Sequence, residues 1–179
     1  MNQMKTIMLA TFLSLAITIP GLTANFQGIE YSIIEKSNLG THKCSINIRL
    51  ENKVTKDFLH KLAKHLKDSE PQKYDRFFIA YLLPGMKPGA GAWATSHFNP
   101  ELEVLILGTT IEEEKALRQT PKPLSDGLIG EWLDESPFIG AKYTLLKRGG
   151  KILMLRKFKD GSGREIEMVE KKAGQLFSV

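Results

Sequence analysis

The chain is short of the residues that most often announce a chemistry. It has one cysteine, two tryptophans and four histidines in 179 residues. One cysteine excludes an internal disulfide framework. The histidines, His42, His60, His65 and His97, are dispersed, and neither a His-Glu-x-x-His run nor paired cysteines supply metal-ligand spacing. A Gly-x-Ser-x-Gly elbow is missing, and Lys87–Ala92 has the glycines of a phosphate loop without its Lys-Ser/Thr. Asp160–Gly163 lacks the further carboxylates of a calcium loop and reads as a hairpin turn. Internal repeats and low-complexity tracts are absent too.

Charge of one sign is also scarce. Lys+Arg number 25 and Asp+Glu 20, net +5, with the signs interspersed rather than gathered in a tail. With no recognition helix, zinc spacing or RNA-reading aromatic motif, nucleic acid is not an expected partner. What remains is 42% hydrophobic and 25% charged, an ordinary globular composition with enough chain for one core.

The longest apolar run, Ile7–Ile19, follows a single cation, Lys5, and is broken by Pro20-Gly21 before Leu22-Thr23-Ala24. That order is the layout of an export signal, and the run is shorter than the roughly 20 residues a spanning helix needs. The expectation is a signal peptide over residues 1–24, a periplasmic or secreted protein, and no transmembrane segment after cleavage; retention as an uncleaved anchor is the alternative. Removing 24 of 179 residues leaves 155, and losing Lys5 turns +5 into +4. A mildly basic exported protein suits anionic lipid, a wall polymer or an acidic partner.

Export would leave Cys44 free or paired between chains. Cys44, Ile46, Ile48 and Leu50 alternate with polar residues, so the thiol belongs on the buried face of a strand. The periodicity predicts further strands at Ile29–Ile34, Phe77–Leu83 (apolar throughout, hence covered on both faces), Ala92–Phe98 and Glu101–Leu107, with a turn at Ser37–Gly40. A helix follows the Thr55 N-cap, with Val54 and Leu59 as a staple, and ends by Glu70. Thr110-x-x-Glu113 is a capping box for a second helix through Arg118. Residues 120–127 read as a linker. Beyond it, Leu128–Leu133, Lys142–Lys147, Lys151–Phe158, Glu165–Glu170 and Leu176–Val179 form a meander. The expected class is α+β: a mixed or antiparallel sheet with two helices over 25–119, then an antiparallel meander over 128–179 packed with it as one unit.

Gly85–Pro100 is the richest segment for a site. Trp93, Thr95 and His97 are expected on one strand face, with Ala92, Ala94 and Ser96 on the other. Small residues beside an indole leave room for a ligand, and His97 can hydrogen-bond it. Trp132 and Tyr81 complete the expected ligand-binding set of Trp93, His97, Trp132 and Tyr81; neither a catalytic set nor a cofactor is implied. Glu131, Asp134 and Glu135 around Trp132 read as solvated acids at a strand end. Gly130-Glu131-Trp132 resembles the opening Gly-x-Trp of lipocalin-type and avidin-type barrels, a three-residue likeness from which no binding residue follows.

Function is therefore an expectation of class. The first reading is a non-enzymatic exported protein that binds a ligand or envelope component. The alternatives are a small hydrolase pairing His97 with a carboxylate, and an envelope structural protein using the basic helix Lys56–Lys67.

Overall fold

The computed structural model describes residues 22–119, 127–136, 138–172 and 175–178. The expected signal peptide up to residue 21 and the expected linker over 120–126 lie outside the described residues, while Gly127, the last residue of that expected linker, opens a strand. Among the described residues, eleven strands and two helices make a mostly β fold with two sheets.

The first sheet contains β1 (Leu22–Phe26), β2 (Ile29–Leu39), β3 (Lys43–Leu50), β4 (Arg76–Leu82), β5 (Ala94–Phe98) and β6 (Leu102–Ile106), neighbours in that order. Only β3 and β4 run parallel, because α1 (Lys56–Asp68) carries the chain back between them. Thr55 accepts from the Phe58 amide, and the staple residues Val54 and Leu59 are both buried. Leu59, Leu62, Ala63 and Leu66 of α1 then cover the sheet face made by Cys44, Ile46, Ile48, Phe77, Ile79 and Tyr81. Cys44 is wholly enclosed, as the alternating pattern required.

Leu22–Phe26 is an edge strand antiparallel to β2, pairing Leu22 to Phe26 with Ile33 to Ile29. Two expectations change. Strand β2 runs to Leu39 instead of stopping at Ile34. A bulge between Ile33 and Glu35 restores its register, and Ser37 and Asn38 pair with Ser45 and Cys44 where a turn was expected. Cross-strand pairing overrides the local turn preference there. β4 is covered on one face only: Phe77, Ile79 and Tyr81 are buried, while Phe78 and Ala80 are half-buried on the side away from α1.

The second sheet is the expected antiparallel meander: β7 (Gly127–Asp134), β8 (Ala141–Arg148), β9 (Lys151–Phe158), β10 (Gly163–Lys172) and β11 (Gln175–Ser178), in consecutive order. Gly149 and Gly150, at φ 56° and 82°, form the tight β8–β9 turn that needs two left-handed residues. The meander is an open sheet, with no ladder closing β7 onto β11 among the described residues. The capping box closes as the motif implies: Thr110 accepts from the Glu113 amide, and Glu113 accepts from the Thr110 amide. Helix α2 (Ile111–Arg118) then packs on β8.

Candidate functional site

The parallel pair sets up the junction between the two sheets. Because β3 and β4 point the same way, the loops after Leu50 and Leu82 leave the sheet at one end. The segment after Ile106 joins them there through the β5–β6 hairpin. The meander docks at this end through Glu135 and residues 138–140. The Phe138 amide donates to the Leu107 carbonyl at 2.8 Å, and Lys159 Nζ donates to the Gly108 carbonyl at 2.8 Å.

Lys53 lies at the centre of this junction, with its side chain only 10% exposed. Its ammonium pairs with Glu114 Oε2 of α2 at 2.7 Å and Glu135 Oε1 beyond β7 at 2.6 Å, and also donates to Thr109 Oγ1. Thr109 gives Glu135 two further donors, its amide at 3.1 Å and its hydroxyl at 2.8 Å. Burial by itself would push the Glu114 carboxyl up, but hydrogen bonds from Lys53 and Arg118 outweigh it and hold the group below its ordinary range. One cation thus joins acids contributed by separate elements of the chain.

Two grooves flank this centre and share Leu83 and Pro84. One, of about 660 Å³, lies between Glu51–Lys53 and α2, with Ile111, Lys115 and Arg118 on its far wall. The other, of about 530 Å³, separates the Pro84–Gly91 connector from the end of β7, where Trp132, Leu133 and Asp134 line it.

The four expected ligand residues do not converge. Trp93 and Tyr81 are fully enclosed. The Trp93 indole donates to the Thr109 carbonyl at 2.8 Å, so this side chain supports the junction from beneath. It precedes β5 and does not share the face of Thr95 and His97, which are half-buried. The Tyr81 hydroxyl meets Ser96 Oγ at 3.0 Å within the core, and burial raises its pKa strongly against the lowering effect of that hydrogen bond. His97 lies on the face of the first sheet away from α1, beside the Phe78 ring, with Nε2 2.8 Å from Glu103. A histidine–carboxylate pair therefore exists, but its acid comes from neighbouring β6 rather than from the tail, and none of the grooves described here includes it.

Trp132 alone has the exposure of a ligand residue, at 46%. One face of its indole lies parallel to Tyr143, with centroids 5.5 Å apart. It stands on β7, the edge strand with which the meander begins, and lines the groove opposite the connector. The acids near it are not freely solvated: Glu131 pairs with buried Lys142 at 3.0 Å and Glu135 with Lys53. Among the described residues, no group of three or more His, Cys, Asp or Glu could hold a metal ion, and no helix is long and apolar enough to cross a membrane.

Sequence reasoning missed Lys53, Thr109 and Glu114, and read Glu135 as solvated. Lys53 is separated from Thr109 by 56 positions and from Glu135 by 82, so no local motif joins them. Comparison with known proteins gives no match: no family model, no curated protein and no solved structure is similar to the chain.

Proposed function

We propose that the chain is an exported, non-enzymatic binding protein whose ligand surface is the groove between the Pro84–Gly91 connector and the Trp132 end of β7. The observation that carries this reading is the half-exposed indole of Trp132, backed on one face by Tyr143 and bordering a cavity of about 530 Å³. Leu83, Pro84 and Met86 form an apolar opposite wall, while Ala90 and Gly91 leave room beside it. A largely apolar concavity with an aromatic platform suits a ligand carrying a flat or hydrophobic body. Binding also fits the chemistry at the junction better than catalysis does. The Lys53 amine is occupied by two carboxylates and a hydroxyl, so it is not poised as a base or nucleophile. The same reading treats the molecule as an α+β protein that acts as one unit, since the Lys53 centre ties the meander to the first sheet.

Two measurements test the proposal. Anilinonaphthalene sulfonate, an aromatic probe with an apolar body, is expected to bind the folded protein and to lose at least about tenfold in affinity in Trp132→Ala, the loss of one aromatic platform. Unchanged binding in that variant would remove the groove from consideration. Export is tested by the intact mass of the protein recovered outside the cytoplasm, which should correspond to a chain beginning at Asn25. A full-length mass there would leave the leader as an anchor.

A further inference from the structure

We propose that the open face of the meander binds an acidic polysaccharide laid across the strands from Trp132 to Arg164. This names a ligand class for the surface that begins at Trp132 and so rests on reading that indole as a ligand platform.

The argument starts from register. Trp132 of β7 pairs with Tyr143 of β8, Tyr143 with Arg156 of β9, and Arg156 with Arg164 of β10. Directly paired residues of an antiparallel sheet project from the same face, so these four side chains form one row. The row spans about 14 Å, three strand spacings of about 4.8 Å each. Tyr143 lies between Trp132, parallel to it, and the Arg156 guanidinium, 4.9 Å from its centroid. Arg156 also approaches the Phe158 ring at 5.7 Å.

On the opposite face three cations have acids beside them: Lys142 has Glu131, Arg148 has Glu165 and Lys151 has Glu167, at 3.0, 2.9 and 2.8 Å, while Lys157, across from Lys142, donates to the Gly161 carbonyl. Helix α2 reaches that face as well, where Arg118 meets Glu131 and Lys142 around a small cavity. On the Trp132 face, Arg156 and Arg164 stand directly opposite each other, and neither forms an ion pair among the described residues. Like charges placed directly across a ladder are unfavourable. Arg156 Nε is moreover buried with no acceptor, so the guanidinium is held by rings and left without a counter-charge. A bridging anion would relieve the opposition of the two arginines, while the enclosed Arg156 Nε stays out of its reach.

The geometry also selects the ligand. One anionic group reaches the arginine pair but not Trp132, so the ligand has several units. Trp132 offers a single free ring face, since Tyr143 occupies the other. That arrangement matches one sugar ring stacked at the sheet edge, followed by acidic units over the arginines. A single-stranded nucleic acid would look for successive stacking platforms, and this row offers one. The Arg fork accepts carboxylate or sulfate in bidentate geometry.

The test uses polygalacturonate as probe, with dextran, phosphatidylglycerol vesicles and single-stranded DNA as comparisons. Binding should be seen with polygalacturonate, be absent with dextran, and weaken as salt is raised. Arg164→Gln, on an exposed side chain, should weaken it, and Arg156→Gln with Arg164→Gln should cost about tenfold or more. Lys151→Gln removes one charge, as Arg164→Gln does, but from the opposite face, and should leave affinity unchanged. An equal loss in Lys151→Gln would reduce the effect to net charge and overturn the proposal. So would unaltered binding in the double variant, or vesicles or DNA binding as tightly as the polysaccharide. The dye experiment keeps the two readings apart. If Trp132→Ala abolishes dye binding while the arginine variants keep full polysaccharide affinity, the groove stands and the acidic-polymer row falls.

Discussion

Lys53→Met is the sharpest test of how the two sheets are held together. The substitution keeps an unbranched side chain in a site 10% exposed and removes the charge that pairs with both Glu114 and Glu135. Deleting one partner of a buried pair typically costs about 3–5 kcal/mol, because the remaining charge is left desolvated. Here the remaining acids keep some partners. Arg118 still reaches Glu114 at 2.6 Å, and the Thr109 amide and hydroxyl still donate to Glu135. The acids are also about a fifth to a quarter exposed. Discounting for both gives about 2–3 kcal/mol, or a fall in Tm of about 5–10 °C for a chain of this size. The pH dependence has a definite sign. The Glu114 pKa is lowered in the folded state, so its contribution is fully present above the unfolded carboxylate value and is lost as pH falls through the folded one. The gap between wild type and Lys53→Met should therefore be widest near neutral pH and shrink in acid. Urea unfolding at pH 7 and pH 3.5 measures it. A loss below about 0.5 kcal/mol, within the range of an ordinary surface substitution, would refute the keystone role. An equal loss at both pH values would refute its electrostatic origin.

Two further outcomes follow from packing. A Cβ added at Gly108 would lie 2.8 Å from Trp93 Cδ1 and 2.9 Å from Glu135 Oε2, so Gly108→Ala should destabilise by about 1–3 kcal/mol in thermal melts. The control Gly130→Ala, with nothing within 4 Å of its Cβ, should change little. Burial, with a smaller push from Glu70 outweighing Lys36, raises the Cys44 thiol to about 11, so an aromatic disulfide reagent should label it only after unfolding. Labelling of the native protein at the rate of a free thiol would contradict that enclosure.

Much of the framework was legible because its determinants are local. The Cys44–Leu50 alternation, the Thr55 and Thr110 caps, and the Gly149-Gly150 turn each specify a conformation within a few residues, and each appears where the pattern placed it. Local signals fail where pairing partners decide. The turn expected at Ser37–Gly40 gave way to a ladder with β3, and Phe78 and Ala80 stay half-buried on the face away from α1. Trp93 shows the same limit for the site. An indole beside small residues reads equally as core or as ligand platform, and only its full enclosure, with its hydrogen bond to the Thr109 carbonyl, identifies it as core.

By itself the sequence determined the order of strands and helices, the buried stripe of α1 and the meander, because periodicity, caps and turns act over short stretches. The tertiary structure decided which side chains meet. It joined Lys53 to Glu114 and Glu135, turned Trp93 inward and Trp132 outward, and lined up Trp132, Tyr143, Arg156 and Arg164 across four strands. Those relations depend on register and on how one sheet docks against the other. Both are set by long-range burial and charge neutralisation, for which adjacent residues carry no code.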